Sequence, residues 1–333
     1  MLELKLKLKL IMASVRSEAM VDGVAEVGAA TCIEDVPADV LSLVLRRLDG
    51  ASLAAAGCTC TGFRELAADA AMWRAICLAA WPSVRDVPGV CGGGGRGGGC
   101  RALFADAFPF PAASSSSVAG SESSGSTLPA RLVSAVDLHH NGVCVMSRVV
   151  ETDTSSEWFL ASPFRLDALV QEGFSAPAPI TPAELTLSWI LIDPATGRAV
   201  NASSRRPVSV DRSWLTGETV ARFTVVLGDG GGVALDAAVT CDDRYGHVRE
   251  VSLCSVDSEG VSISGRDGLA TVAAAMGGAR QSRGAEAAAR RRYEAFARGT
   301  AARKARRDGV VDLCCSGVAA AAFVGLLSTL TLQ

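Results

Sequence analysis

Two tyrosines and three histidines in 333 residues leave this chain short of the side chains that most often move protons in active sites. His139 and His140 precede Asn141-Gly142, a turn, and His247 opens an alternating segment. No Gly-x-Ser-x-Gly elbow, phosphate loop or metal-spaced cluster accompanies them. Asp242 and Asp243 stand side by side before Tyr245 and read as a turn rather than an acid/base pair. No catalytic, cofactor-binding or metal-ligating residue is therefore nominated. The eleven cysteines are odd in number and lack any C-x-x-C pair. Cys58 and Cys60 are too close for a zinc knuckle, and Cys91 and Cys100 flank a glycine run. A secretory signal with a small-residue cleavage site is missing too. Together these features predict reduced thiols and a cytoplasmic or nuclear setting, or both. There the sequon Asn201-Ala202-Ser203 meets no glycosylation machinery. A net charge of -3 and a pI near 5.7 exclude a general affinity for nucleic acid.

Small residues are abundant instead. The opening "MLELKLKLKLI" alternates leucine with lysine, and Met12 opens a more ordinary start. Residues 1–31 are expected to be a disordered lead-in. "CGGGGRGGGC" and "AASSSSVAGSESSGS" frame the short apolar piece "RALFADAFPFP". The first run contains a formal G-x-G-x-x-G at Gly92, Gly94 and Gly97. No strand precedes it and no βαβ unit surrounds it, so it reads as part of a flexible linker over 83–130.

Residues 32–82 read as three helices. Pro37 suits a first helical turn, Asp39 the positive end of the dipole, and Asp49-Gly50 a stop. Ser52 is expected to cap a short second helix, "LAAAGCTC". The third, "FRELAADAAMWRAICLAAW", runs to Pro82. The first helix carries apolar residues in pairs, Val40 with Leu41 and Val44 with Leu45, followed by Leu48. A unit this small cannot bury all of its apolar positions within itself.

From Leu132 the apolar period becomes two. "LVSAVDL" and "VCVMSRVV" are joined through Asn141-Gly142, a strong hairpin signal. Leu185, Leu187, Trp189 and Leu191 share one face of a strand, and Ala221, Phe223, Val225 and Leu227 share one face of another. "VALDAAVTC", "HVREVSLCSV" and "VSIS" continue the series, and "DGLATVAAAM" reads as a helix after the last strand. Residues 131–278 are expected to form one β-rich domain. Arginines dominate residues 279–309, which read as a basic helix. From Leu313 to Leu332 there is no charge, a length that spans about 30 Å as a helix. Residues 310–333 are thus an expected apolar tail. It is a candidate membrane anchor, with Cys314 and Cys315 as candidate acylation sites, or else a helix packed on the β-domain.

The helical segment resembles an F-box. The residues that carry the likeness are Ile33, Pro37, Val40, Leu41, Val44, Leu45, Leu48, Leu53, Cys60, Phe63, Leu66 and Met72-Trp73. Gly57 and Gly62 depart from the pattern. "SAVDLHHNGVCVMSRVVET", "WFLASPFRLDAL", "LSWILIDPATGRAVNASSRRPVSV" and "HVREVSLCSVDSEGVSISGRDGL" extend the resemblance to a plant group of F-box proteins. The resemblance implies a Skp-type adaptor and a cullin as partners, and a non-catalytic substrate receptor of a ubiquitin ligase. Ile33, Pro37, Val40, Leu41, Val44, Leu45, Leu48, Leu53 and Cys60 then become the expected adaptor-binding residues. Phe63 and Trp73 are assigned to internal packing. The competing reading is a non-ligase scaffold, tethered to a membrane through 313–332, whose β-domain binds peptide or carbohydrate.

The fold class expected overall is α+β: a three-helix F-box, an antiparallel β-sandwich-like domain, a basic helix and an apolar C-terminal segment. For an unknown protein target, the candidate contacts are Trp158 and Trp214 near strand ends, with Arg205, Arg206 and Arg212. No cofactor and no specific nucleic acid is expected.

Overall fold

The computed structural model describes residues 36–90, 99–111, 128–170, 174–175, 179–213, 216–228, 232–242, 247–281 and 286–307. The expected lead-in at 1–31, Ile33, the glycine run at 91–98, Trp214, and the tail with Cys314 and Cys315 lie outside the described residues. The chain divides into two compact units, Met1–Ala105 and Asp106–Gln333.

The first unit carries helices α1 (Ala38–Leu45), α2 (Gly50–Ala56), α3 (Thr61–Leu66) and α4 (Ala70–Ala80). A 3-10 turn, Pro82–Asp86, follows, and then α5 (Gly99–Ala107), which runs across the boundary between units. The helix ends differ from those the sequence suggested. Asp49-Gly50 is the beginning of α2 and not the stop of α1. Asp49 Oδ1 accepts the Ser52 N–H at 2.8 Å, and the Ser52 hydroxyl donates to Oδ2 at 3.1 Å. Ser52 is therefore the partner of the cap and not the cap. Aspartate ranks among the strongest N-caps because its oxygen satisfies an orphan N–H. Helix α1 closes without glycine, through Arg47 N–H to Val44 O and Leu48 N–H to Leu45 O, each 3.1 Å. The single long helix expected after Thr61 is two, α3 and α4. Asp69 separates them by capping α4, its Oδ1 accepting the Ala71 N–H at 2.9 Å.

The core of this unit collects Val44, Leu45, Leu53, Phe63, Trp73 and Trp81, all buried. The Trp73 indole N–H donates to Ala67 O at 2.7 Å, so the ring enters the core with its polar atom satisfied. The Phe104 ring lies 5.4 Å from that of Trp73 and 5.7 Å from that of Trp81. The same ring covers Gly50 so closely that a Cβ there would sit 2.3 Å from Phe104 Cζ. The apolar piece within the expected linker over 83–130 is thus a helix, α5, and its Phe104 completes the helical core.

The second unit is built from antiparallel strands. One sheet has the order β3-β2-β6-β7, from β2 (Arg131–His140), β3 (Val143–Asp153), β6 (Leu185–Ile192) and β7 (Ala199–Asn201). The other runs β4-β11-β10-β9-β8, from β4 (Arg165–Leu169), β8 (Ser209–Arg212), β9 (Glu218–Leu227), β10 (Val233–Asp242) and β11 (His247–Val256), with β5 (Phe174–Ser175) also on β11. The β2–β3 hairpin turns at Asn141 and Gly142, with φ of 51° and 79°. The inner faces of both sheets meet in one core. Leu185, Leu187, Trp189 and Leu191 face Ala221, Phe223, Val225 and Leu227 there, as the alternation predicted. The α+β class and the sandwich-like layering expected from the sequence are the ones found.

Helix α6 (Glu157–Ala161) and helix α7 (Gly265–Gly277) complete this core through Phe159, Leu269, Val272 and Met276. The expected strand "VSIS" reduces to two isolated bridges, Ser262 to Val256 and Ser264 to Pro163. Arg280, expected to open the basic helix, belongs instead to β12 (Arg280–Gln281), paired with β1 (Phe110–Pro111). Its guanidinium donates to Ala275 O at 2.5 Å, Met276 O at 2.9 Å and Gly278 O at 3.0 Å, closing the end of α7. It also reaches Ala199 O and Asp106 O, each at 3.0 Å. A cation fits there because the last carbonyls of a helix carry partial negative charge. The basic helix proper, α8, occupies 286–307.

Candidate functional site

Helix α1 divides the expected adaptor-binding residues into two groups. Val44 (1% exposed), Leu45 (0%), Leu48 (5%) and Leu53 (0%) are sealed in the interior. Pro37 is exposed, and Val40 and Leu41 are half-buried. Leu43, which the paired pattern passes over, is 56% exposed. The sequence did carry a signal for it: Leu43 is a leucine standing off the paired stripe, three residues from Val40 and so on its flank. Val40 and Leu43 thus share one open apolar flank of α1, with exposed Pro37 before it, while the half-buried Leu41 lies over the side that buries Val44 and Leu45. Arg46 borders the open flank and reaches Asp69 at 3.8 Å. Cys60 is exposed, and its Sγ accepts the Phe63 N–H at 3.5 Å at the start of α3. The flank offers shape and apolar surface, with no convergent acid, base or nucleophile.

The candidate target contacts on the β-domain also separate. Trp158 is 78% exposed on α6. Its neighbour Phe159 points inward, with its ring 5.9 Å from that of Phe164, and Ser156 Oγ accepts the Phe159 N–H at 3.3 Å. Two anchors therefore hold the short helix that presents the tryptophan. Arg206 and Arg212 are exposed. Arg205 is drawn inward. Its guanidinium lies 4.7 Å from the Phe108 ring centre and 4.9 Å from that of Phe110, and it donates to the Phe108 carbonyl. Glu286 stands 3.9 Å away. Burial pushes the Arg205 pKa down and Glu286 pushes it up, and an arginine so placed keeps its charge. Its binding capacity is used by this chain. Among the described residues no group of three or more His, Cys, Asp or Glu is placed to hold a metal ion.

Residues 33–79 match the family model described as F-box-like. "Probable F-box protein At2g36090" of Arabidopsis thaliana is 37% identical over 298 residues, which cover 84% of this chain and 88% of that protein. The chain belongs to the F-box proteins. "F-box protein At3g44326" is 35% identical over 300 residues, covering 80% of each chain, and "F-box protein At2g27310" is 34% identical over 322 residues, covering 87% of this chain and 93% of the other, both from the same plant. No solved structure matches the chain. The likeness to these F-box proteins takes in the β-domain as well as the helices, so the two units recur together in the family. Within the F-box itself, the residues that carry the family resemblance are mostly its interior. The apolar side chains that α1 leaves exposed or half-buried are fewer: Pro37, Val40, Leu41 and Leu43.

Proposed function

We propose that this F-box protein is the substrate-recognition subunit of an SCF-type cullin ubiquitin ligase. In this reading it docks on a Skp-type adaptor through α1 and holds a protein target on its β-domain. The observation that carries the reading is the set of apolar side chains that α1 leaves open, Val40 and Leu43 on one flank and half-buried Leu41 beside them, inside a segment matched as F-box-like. An apolar helix edge laid into a partner's groove is a common recognition mode. Full burial of one such aliphatic side chain contributes about 1.5–3 kcal/mol, and less where it is already half-covered. A micromolar complex needs about 8 kcal/mol. The contact therefore extends past Val40, Leu41 and Leu43, and Cys60 and the half-buried Leu66 and Ile76 are the next apolar surface in the same unit. The chemistry of ubiquitin transfer belongs to the partner subunits, and this chain acts as a non-catalytic adaptor in the cytoplasm, the nucleus or both.

On the target side, Trp158 is the proposed anchor, with Arg206 and Arg212 as polar contacts. Exposed tryptophan is rare and aromatic anchors dominate binding energy. For the tail, membrane tethering remains a proposal resting on its uncharged composition. Among the described residues no helix is long and apolar enough to cross a membrane. The test of the docking reading is co-purification from plant cells of a tagged full chain and its Leu41→Asp/Leu43→Asp variant. Adaptor and cullin should accompany the first and be lost from the second. Adaptor without cullin would favour a non-ligase scaffold, and equal recovery by both chains would remove α1 from the interface.

A further inference from the structure

A second surface lies on the β-domain unit, far in sequence from the F-box. The turn after β11 meets residues 300–307 of α8, and a cavity of about 310 Å³ opens between them. Arg303, Lys304, Arg306 and Arg307 line it, together with a single carboxylate, Glu259. One wall is built. The Thr300 hydroxyl donates to Ser258 O at 2.9 Å, and Arg303 donates to the same carbonyl through Nε at 2.9 Å and through Nη2. Gly260 lets the turn approach: its φ is +80°, and a Cβ there would meet Thr300 Cγ2 at 3.2 Å. Helix and turn are therefore held together by contacts that leave Lys304, Arg306 and Arg307 out. Among the described residues no carboxylate lies within ion-pair distance of these three.

Against four cations and one carboxylate, the cavity keeps a clear positive excess. Cations placed this close repel one another unless an anion enters. Arginine forks match phosphate oxygens in pairs, and lysine adds a compact point charge. A volume near the lower end of the range for small-ligand sites takes more than a single simple ion. We propose that this cavity binds a multiply charged phosphate group, carried either by a soluble polyphosphorylated small molecule or by the headgroup of an anionic lipid.

The experiment uses the full chain and a Lys304→Gln/Arg306→Gln/Arg307→Gln variant, which leaves the Arg303 and Thr300 anchors untouched. Tripolyphosphate is titrated calorimetrically, and vesicles of phosphatidylcholine with and without a phosphoinositide are sedimented with each protein. The native chain should bind tripolyphosphate with an affinity that falls as salt rises, and the variant should bind at least about tenfold more weakly. Phosphoinositide-dependent sedimentation that tripolyphosphate competes away, and that the variant lacks, identifies the lipid source. Tripolyphosphate binding without vesicle enrichment identifies the soluble one. No binding of either probe, or binding that the variant retains in full, overturns the site. An unchanged thermal melt of the variant excludes loss of fold as the cause of any loss of binding.

Discussion

Leu43 and Leu45 are two residues apart and have opposite fates, which sets the residue-scale logic of this protein. Leu45 is fully buried and Leu43 is more than half exposed. Leu45→Ala should cost about 2–5 kcal/mol of F-box stability by leaving a cavity. Leu43→Ala should leave stability within about 0.5 kcal/mol. Chemical denaturation of the two variants distinguishes them, and similar losses would place Leu43 inside. Gly50 is a sharper case. Gly50→Val forces atoms into the Phe104 ring, and the expected destabilisation is about 1–3 kcal/mol. The thiols sort by the same rule. Burial pushes the Cys254 pKa up, with neighbouring Arg165 opposing, so little thiolate is present at neutral pH. Iodoacetamide at pH 7.5 should therefore label exposed Cys58 and Cys60 well before Cys254 and buried Cys241, read by peptide mass spectrometry. Early labelling of Cys254 would contradict its burial. At this scale the sequence was partly legible. Strict alternation with leucines favoured the core for Trp189, and the ring is fully buried there. The paired aliphatics of α1 signalled burial and docking alike, and the fold shows which of them are buried, Val44 and Leu45, and which stay half-open, Val40 and Leu41.

Elements were legible where local chemistry decides and misread where two local signals compete. Asn141-Gly142 has one good use, a tight hairpin, and it takes it. Asp49-Gly50 can end one helix or begin another, and the Ser52 amide settles the matter by donating to Asp49. Asp69 looked like a polar residue inside a helix and is the cap that divides α3 from α4. Asp49→Ala should cost about 1 kcal/mol through loss of that cap, with the Ser52 amide left to water. A urea melt followed by far-ultraviolet circular dichroism measures it, and no change in midpoint would demote the contact. On α6, Ser156 and Phe159 fix the turn that presents Trp158. Trp158→Ala should leave the thermal melt of the β-domain unchanged while reducing recovery of its target, whichever protein that is. A lowered melt would make the tryptophan structural. The strand pairings were less legible because they are non-local. Cys254 of β11 lies opposite Arg165 of β4, and nothing in either segment names the other. Arg205 illustrates the same limit. Its partners Phe108, Phe110 and Glu286 lie far from it along the chain, so a residue that reads as a free contact is a fastening.

At the scale of the whole molecule, the F-box protein is two compact units. The helical unit buries most of the aliphatics that carry its family resemblance and leaves Val40 and Leu43 open on one flank of α1. The β-domain carries its own core, an exposed tryptophan, and a basic cavity between α8 and the turn after β11. Division into units predicts that a core change in one is felt mainly there. Leu45→Asp should abolish the helical transition in calorimetry and leave the β-domain transition in place. Collapse of both together would show that the units fold as one. The same division explains why a test of the proposed docking needs variants outside the core: Leu45→Asp would unfold the F-box, whereas Leu41→Asp/Leu43→Asp changes one half-buried and one exposed position, and its helical melt checks that the F-box stays folded. The most direct measurement is therefore the calorimetric affinity of purified Skp-type adaptor for the native chain and for that double variant. Unchanged helical melting with affinity reduced at least about a hundredfold is the predicted result. An affinity equal to that of the native chain would contradict the account.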